Sequence, residues 1–189
     1  MSVNIKKRGR PKGSKNKLTP SNILNRVKKL MRSEGKIPSI RKLAGVLNVD
    51  AMAIYYYFPS KGVLLEAVTI SLIKDIYEPI GKDHWCNELK LLCKSYLNLL
   101  KEHPGLLETL LRMKSEGPSE VFIQRFQFAL KPLNLDEDIL KNAMDLLVDY
   151  LHGFALAMNC SPENEQLDIE LSDGPLNFYI KAIISEGAQ

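Results

Sequence analysis

Three consecutive phenols, Tyr55, Tyr56 and Tyr57, stand between a carboxylate at Asp50 and an ammonium at Lys61, with Ala51, Met52 and Ala53 just ahead of them. A phenol hydroxyl can donate to a phosphate oxygen or a base acceptor, and small apolar side chains can rest on thymine methyl groups. On a helix, Ile54 and Phe58 fall on one side and Met52, Ala53 and Tyr56 on the other, flanked by Tyr55 and Tyr57. A short helix must bury the Ile54 side. Its opposite face is then rich in aromatic surface that water alone does not favour, so it calls for a partner. That partner is either the major groove of DNA or a neighbouring helix packed on the tyrosines.

A second set of groups lies near the N-terminus. Lys6 to Lys17 holds seven basic residues and no acid, around the core Arg8, Gly9, Arg10, Pro11, Lys12, Gly13. This resembles an AT-hook, an extended peptide whose arginines lie in a narrow A·T minor groove while glycine lets the backbone approach. Plain electrostatic tethering to phosphate is the alternative. The charge of the whole chain is divided in the same sense. Residues 1–61 carry fifteen Lys and Arg against two acids, and residues 62–189 carry eleven against twenty, for a net +4. A basic head on an acidic body suits a protein that meets a polyanion at one end only.

The elements that position these groups are legible from caps and periodicity. Thr19 caps a first helix that begins at Pro20, carries Ile23, Leu24, Val27, Leu30 and Met31 on one apolar face, and stops near Gly35. Ser39 caps a short second helix ending at Asn48, which tolerates a left-handed turn. Asp50 caps the third, with Val49 and Ile54 as a hydrophobic staple, and Ser60 caps a fourth expected to run to about Glu78. Further helices are expected over about 84–102, 104–114, 118–130, 136–159 and 174–185. No strand pattern competes, so the fold class is all-α, with about nine helices. The expected organisation is a basic arm at 1–17, a three-helix helix-turn-helix domain at 18–63, and a helical bundle at 64–189.

Over residues 43–68, LAGVLNVDAMAIYYYFPSKGVLLEAV, the chain resembles the TetR family of bacterial repressors. The resemblance implies that Tyr55 contacts phosphate, that Tyr56 and Tyr57 touch phosphate or bases, and that Lys61 meets phosphate. Ser39, Asp50, Ala51, Met52 and Ala53 complete the expected DNA-facing set, with Arg8, Arg10 and Lys12 on the arm. Asn48 stands where the family usually has Gly, and Tyr57 where it often has His, which leaves base specificity open.

In the body, the helix over 136–159 keeps a narrow polar stripe, Asp138, Lys141, Asn142, Asp145, Asp149 and His152, and is otherwise apolar. Such a helix needs cover on two sides. A homodimer is expected through Val148, Leu151, Gly153, Ala155 and Leu156 with Tyr179, Ile180, Ile183 and Ile184, and the resemblance implies the same two helices. It also implies a small-molecule effector pocket, with Trp85, Tyr96, His103, Leu110, Met113, Phe122, Phe126, Tyr150 and Phe154 as candidate lining. Most of these residue types serve equally well as core. His103 resembles a metal-contacting histidine of tetracycline-responsive members, but no second ligand stands at useful spacing, so neither metal nor cofactor is expected. Cys86, Cys93 and Cys160 form no CxxC pair; Cys86 and Cys93 suit a buried helix face better than a redox pair.

Three scattered histidines, no phosphate-cradling glycine loop and no spaced nucleophile and base argue against an enzyme. No leader or membrane span is visible, so a cytoplasmic protein with reduced thiols is expected. The expected partners are thus double-stranded DNA carrying a palindromic, A·T-rich operator, a second copy of the chain, and a small-molecule effector that releases a repressor. A nonspecific architectural binder is the competing class.

Overall fold

The computed structural model describes residues 18–82, 84–103, 105–113, 117–161 and 167–187. The arm with Arg8, Arg10 and Lys12 lies outside them. The described residues form α1 (Pro20–Glu34), α2 (Ile40–Leu47), α3 (Ala51–Tyr57), α4 (Lys61–Ile73), α5 (Trp85–Glu102), α6 (Leu106–Arg112), α7 (Gly117–Leu130), α8 (Glu137–Cys160) and α9 (Asp173–Gly187), with no strand among them. Short 3-10 turns at Lys131–Leu133 and Ile169–Ser172 lead into α8 and α9. Among the described residues no helix is long and apolar enough to cross a membrane.

The expected caps govern the first four helices. Thr19, Ser39, Asp50 and Ser60 each accept a backbone N–H from the first turn that follows. Gly35 ends α1 at φ 64°, and Asn48 ends α2 at φ 54° and ψ 47°, the left-handed geometry asparagine tolerates. The link from α2 to α3 is therefore tight. Ile54 is fully buried and Phe58 nearly so, which anchors α3 by one side. A further tether was not anticipated: the Tyr57 hydroxyl donates to the Leu18 carbonyl at 2.8 Å, tying the end of α3 to the residue just ahead of the Thr19 cap of α1.

One contiguous core runs from Ile23 in α1 to Ile183 in α9. The expected boundary between 63 and 64 falls inside α4, which packs on α1 on one side and on α5, α6 and α7 on the other. Leu64, Val68, Leu72 and Ile73 are its buried apolar residues. Lys28 of α1 reaches across to the Asp75 carboxylate at 2.7 Å and the Ser71 carbonyl at 3.0 Å, and Arg32 to Glu102 at 3.0 Å.

Helix α4 ends at Ile73, five residues short of the expected Glu78, because the following backbone finds tertiary partners in place of a helical ladder. The Arg125 guanidinium of α7 donates to the carbonyls of Ile76 at 2.7 Å, Lys74 at 3.0 Å and Ile73 at 3.3 Å. Ser95 Oγ accepts the Tyr77 N–H, and the buried Glu88 carboxylate accepts the Ile80 N–H and the Tyr77 hydroxyl. A cation fixed at the carbonyl end of a helix also opposes its dipole.

Helix α8 divides its surface three ways. Ala143, Leu147, Leu151, Ala155 and Met158 face the core; Met144, Asp145, Val148, Asp149 and His152 line a cavity; Leu146, Gly153 and Leu156 are exposed. Much of the expected interface is already packed inside the chain itself. Leu151, Ala155, Tyr179, Ile180 and Ile183 are buried in the chain's own core, and the Tyr179 hydroxyl is spent on the Ala143 carbonyl at 2.6 Å. Each of the five exposes 8% or less of its surface, Tyr179 keeping an edge on the groove between α8 and α9. Val148 is half-buried on the cavity side, so only Gly153, Leu156 and Ile184 of the expected set stand exposed.

Two stability measurements check these anchors. Replacing Arg125 with Met leaves three carbonyls without their charged donor and is expected to lower unfolding stability by about 2 kcal/mol, read as a lower urea midpoint at unchanged slope. Tyr57→Phe is expected to cost about 1 kcal/mol, whereas Tyr56→Phe, at a ring 82% exposed, leaves the midpoint where it was. Equal midpoints for Tyr57→Phe and wild type would show that the hydrogen bond to Leu18 does not hold α3.

Candidate nucleic-acid interface and body cavity

With Ile54 and Phe58 buried, the outer side of α3 follows by geometry. Met52 is 71% and Tyr56 82% exposed, Tyr55 is 37% exposed, and Ala51 and Ala53 are half-buried between them. The Tyr56 and Tyr57 rings meet edge to face with centroids 5.1 Å apart, which braces the exposed ring from one side. Lys61, exposed at the first turn of α4, and Ser39, exposed at the start of α2, flank this face. Two members of the expected set are also engaged within the chain. The Asp50 carboxylate is committed to the Met52 N–H at 2.8 Å, so it orients α3; facing phosphate directly it would only repel. The Tyr57 hydroxyl donates to the Leu18 carbonyl, which holds the end of the helix.

Behind this head, α4 to α8 line a cavity of about 560 Å3 that is open to solvent, with Leu111, Asp145 and Asp149 among its exposed lining. Of the expected lining, Tyr96, Leu110, Met113 and Phe122 reach it. The other five do not. Trp85 and Phe126 are buried in the core, and Tyr150 and Phe154 pair with each other, centroids 6.0 Å apart, Tyr150 lining a groove on the α9 side. His103 is buried at the junction of head and body, beside Lys28, Arg32, Asp75 and Glu102. Burial chiefly lowers its pKa from the ordinary 6.5, and its Nδ1 has no partner among the described residues.

The unexpected members of the cavity wall come mainly from α8: Met144, Asp145, Val148, Asp149 and His152, with Ile73 at the end of α4 and Ile123 on α7. The signal for three of them was the polar stripe on an otherwise apolar helix, whose second half turns inward. His152 Nε2 lies 2.8 Å from the Tyr96 hydroxyl. Burial lowers the His152 pKa, against a smaller opposing pull from Asp149, and burial raises that of Tyr96. The pair is therefore neutral near pH 7. Cys93 is fully buried with its pKa pushed up to about 12, and that of Cys86 is also raised by burial. Both behave as small apolar side chains, since the thiolate is the reactive form. Among the described residues no three His, Cys, Asp or Glu side chains gather as a metal site.

An apolar groove of about 550 Å3 lies between α8 and α9, formed by Leu146, Leu147, Tyr150, Pro175, Phe178, Tyr179 and Ala182. Leu146 is 64% and Phe178 77% exposed, and neither belonged to the expected interface.

No family model matches the chain. It is 25% identical over 159 residues to the HTH-type transcriptional repressor DrrR1 of Streptomyces coeruleorubidus, a match covering 82% of this chain and 59% of that protein. The chain thus spans about three-fifths of the curated relative. Among solved structures it is similar to the Streptomyces coelicolor TetR family protein ActR in complex with actinorhodin, with TM-score 0.73 at 18% identity, covering 89% of this chain and 96% of ActR. Mycobacterium smegmatis BioQ gives 0.72 at 18%, covering 90% and 99%. BioQ with its double-stranded DNA operator gives 0.70 at 19%, covering 89% and 99%. By fold, then, the chain stands with the TetR family protein ActR and with BioQ over nearly its whole described length.

Proposed function

We propose that this chain is a TetR-family transcriptional regulator that binds a palindromic operator as a homodimer and, acting as a repressor, releases it when a small molecule fills the body cavity. The observation that carries this is the outward face of α3, where Met52 and Tyr56 stand exposed beside Lys61 on a helix otherwise anchored by Ile54 and Phe58. Met52 and Ala53 suit thymine methyls, Tyr55 and Tyr56 can donate to phosphate or base edges, and Lys61 supplies positive charge for phosphate. The 25% identity to a repressor and the likeness to an operator-bound fold support the same reading.

The basic arm adds phosphate contacts, and its Arg8, Arg10 and Lys12 suit an A·T minor groove. For the dimer, the exposed Leu146, Gly153, Leu156, Phe178 and Ile184 on α8 and α9 supply an apolar surface that a twofold would cover twice. For the release step, Met113 lines both the body cavity and a cleft of about 680 Å3 between head and body, where Gly35, Ile37 and Leu65 also lie. Helix α6 separates the two spaces. A ligand that shifts α6 alters the wall of the cleft, so ligand and DNA affinities oppose each other by linkage.

Selection of bound fragments from a random DNA pool tests the central claim. A palindrome preferred over random DNA by about 10³-fold or more is expected; equal retention of all sequences would make the chain an architectural binder instead. An A·T-rich flank beside the palindrome would assign Arg8 and Arg10 to the minor groove. Deleting residues 1–17 is expected to weaken binding and to flatten its salt dependence, the log–log slope falling by about 0.9 for each phosphate that the arm neutralises. For assembly, light scattering at micromolar concentration is expected to give a dimer for wild type and a monomer for Phe178→Glu. A monomeric wild type would overturn the twofold.

A further inference from the structure

The cavity carries a charge pattern that narrows what can occupy it, given the proposal that it receives an effector. Helix α8 lays Asp145, Asp149 and His152 along one wall, spaced so that all three share a face. The rest of the lining is mainly apolar, with Phe122, Ile123, Met144 and Val148 among it. Among the described residues no Lys or Arg lines it. Asp145 already has a counter-charge, since Lys141 one turn earlier reaches it at 2.8 Å outside the cavity wall. Asp149, one turn further along, makes no ion pair among the described residues. His152 does not supply the missing charge, because it is neutral and engaged with the Tyr96 hydroxyl.

Asp149 is solvent-exposed where it lines the cavity, and a ligand seated against this stretch of α8 covers its carboxylate. Under a neutral apolar body that carboxylate loses water without compensation; under an anion it also meets like charge. A ligand cation removes both costs. The aromatic wall adds to the preference. Tyr96 and Phe122 lie with ring centroids 5.0 Å apart and tilted at 50°, and aromatic faces attract cations once water is excluded. The volume of about 560 Å3 suits a drug-sized body.

We propose that the cavity selects an amphipathic organic cation, with its ammonium or amidinium group against Asp149 and its apolar body among Phe122, Ile123, Met144 and Val148. Asp149 sets the charge preference, and the apolar walls set size.

Three fluorescent probes of matched length and different charge test this on the full chain: dansylcadaverine as the cation, its N-acetyl derivative as the neutral form, and dansyl-6-aminohexanoic acid as the anion. Dansyl emission on titration gives each Kd. The cation is expected to bind about tenfold or more tighter than the neutral probe, with the anion weakest. Asp149→Asn, which keeps shape and removes charge, is expected to bring the cation to within about twofold of the neutral probe, whose own Kd is unchanged. Asp145→Asn is expected to have the smaller effect, since that carboxylate is already paired. Circular dichroism of both variants confirms that they fold. Cation and neutral probe binding equally to wild type, or the anion binding best, would overturn the charge preference and leave an effector cavity standing. Preference retained in Asp149→Asn would overturn the assignment to Asp149. No emission change with any of the three probes would sink the effector cavity itself, and the inference with it.

Discussion

Helix α4 has to satisfy two sets of neighbours at once, and the rest of the structure is arranged around that requirement. Its sequence is apolar on nearly every side after the first turn, which no amphipathic surface helix could sustain. The demand is met by α1 on one side and by α5, α6 and α7 on the other. As a result a single rigid element of about 20 Å carries Lys61 at its exposed start, beside the outer face of α3, and Ile73 on the wall of the body cavity at its end. The carbonyls at and just beyond its end are held by Arg125, which sits on the same helix as Phe122 and Ile123 of that wall. Head and cavity are mechanically one object through this helix.

The three-helix head depends on a division of labour within a very short stretch. A helix of seven residues has little propensity of its own and is stabilised by tertiary packing. Asp50, Ile54, Tyr57 and Phe58 supply that anchoring through a cap, two buried side chains and a hydrogen bond to Leu18. What is left over, Met52, Ala53, Tyr55 and Tyr56, forms the outer face of α3. Positions that look alike in sequence, three tyrosines in a row, thus have different employment, decided by which hydroxyl finds an internal acceptor.

The body shows the same economy on α8. One face completes the core, one closes the cavity, and one stays outside with Leu146 and Leu156 exposed. The polar groups that enter the interior are kept quiet: His152 and Tyr96 as a neutral hydrogen-bonded pair, Cys93 as a protonated thiol. Asp149 is the exception. It lines a mainly apolar cavity from an exposed position, with no ion-pair partner among the described residues, next to the Lys141-paired Asp145.

The all-helical class, the four N-caps, the left-handed Asn48 and the outward face of α3 were legible from the chain alone, because each rests on local physics: a side chain bonding its own first turn, a φ that asparagine tolerates, a periodicity of burial. So was the charged division between head and body, which is simple addition along the sequence. The end of α4 at Ile73 was not legible, since it was decided by Arg125, Ser95 and Glu88, residues distant in sequence that offer its backbone better partners than another helical turn. Nor were the assignments on α8 and α9. A helix apolar nearly all round announces that it will be covered, but not by what. Only the placement of α5, α7 and α9 against α8 sent Leu151 and Ala155 to the core, turned Asp149 and His152 toward a cavity, and left Leu146 and Phe178 facing out. Local geometry is written in neighbouring residues, whereas the choice among equivalent faces is made by contacts the sequence brings together only on folding.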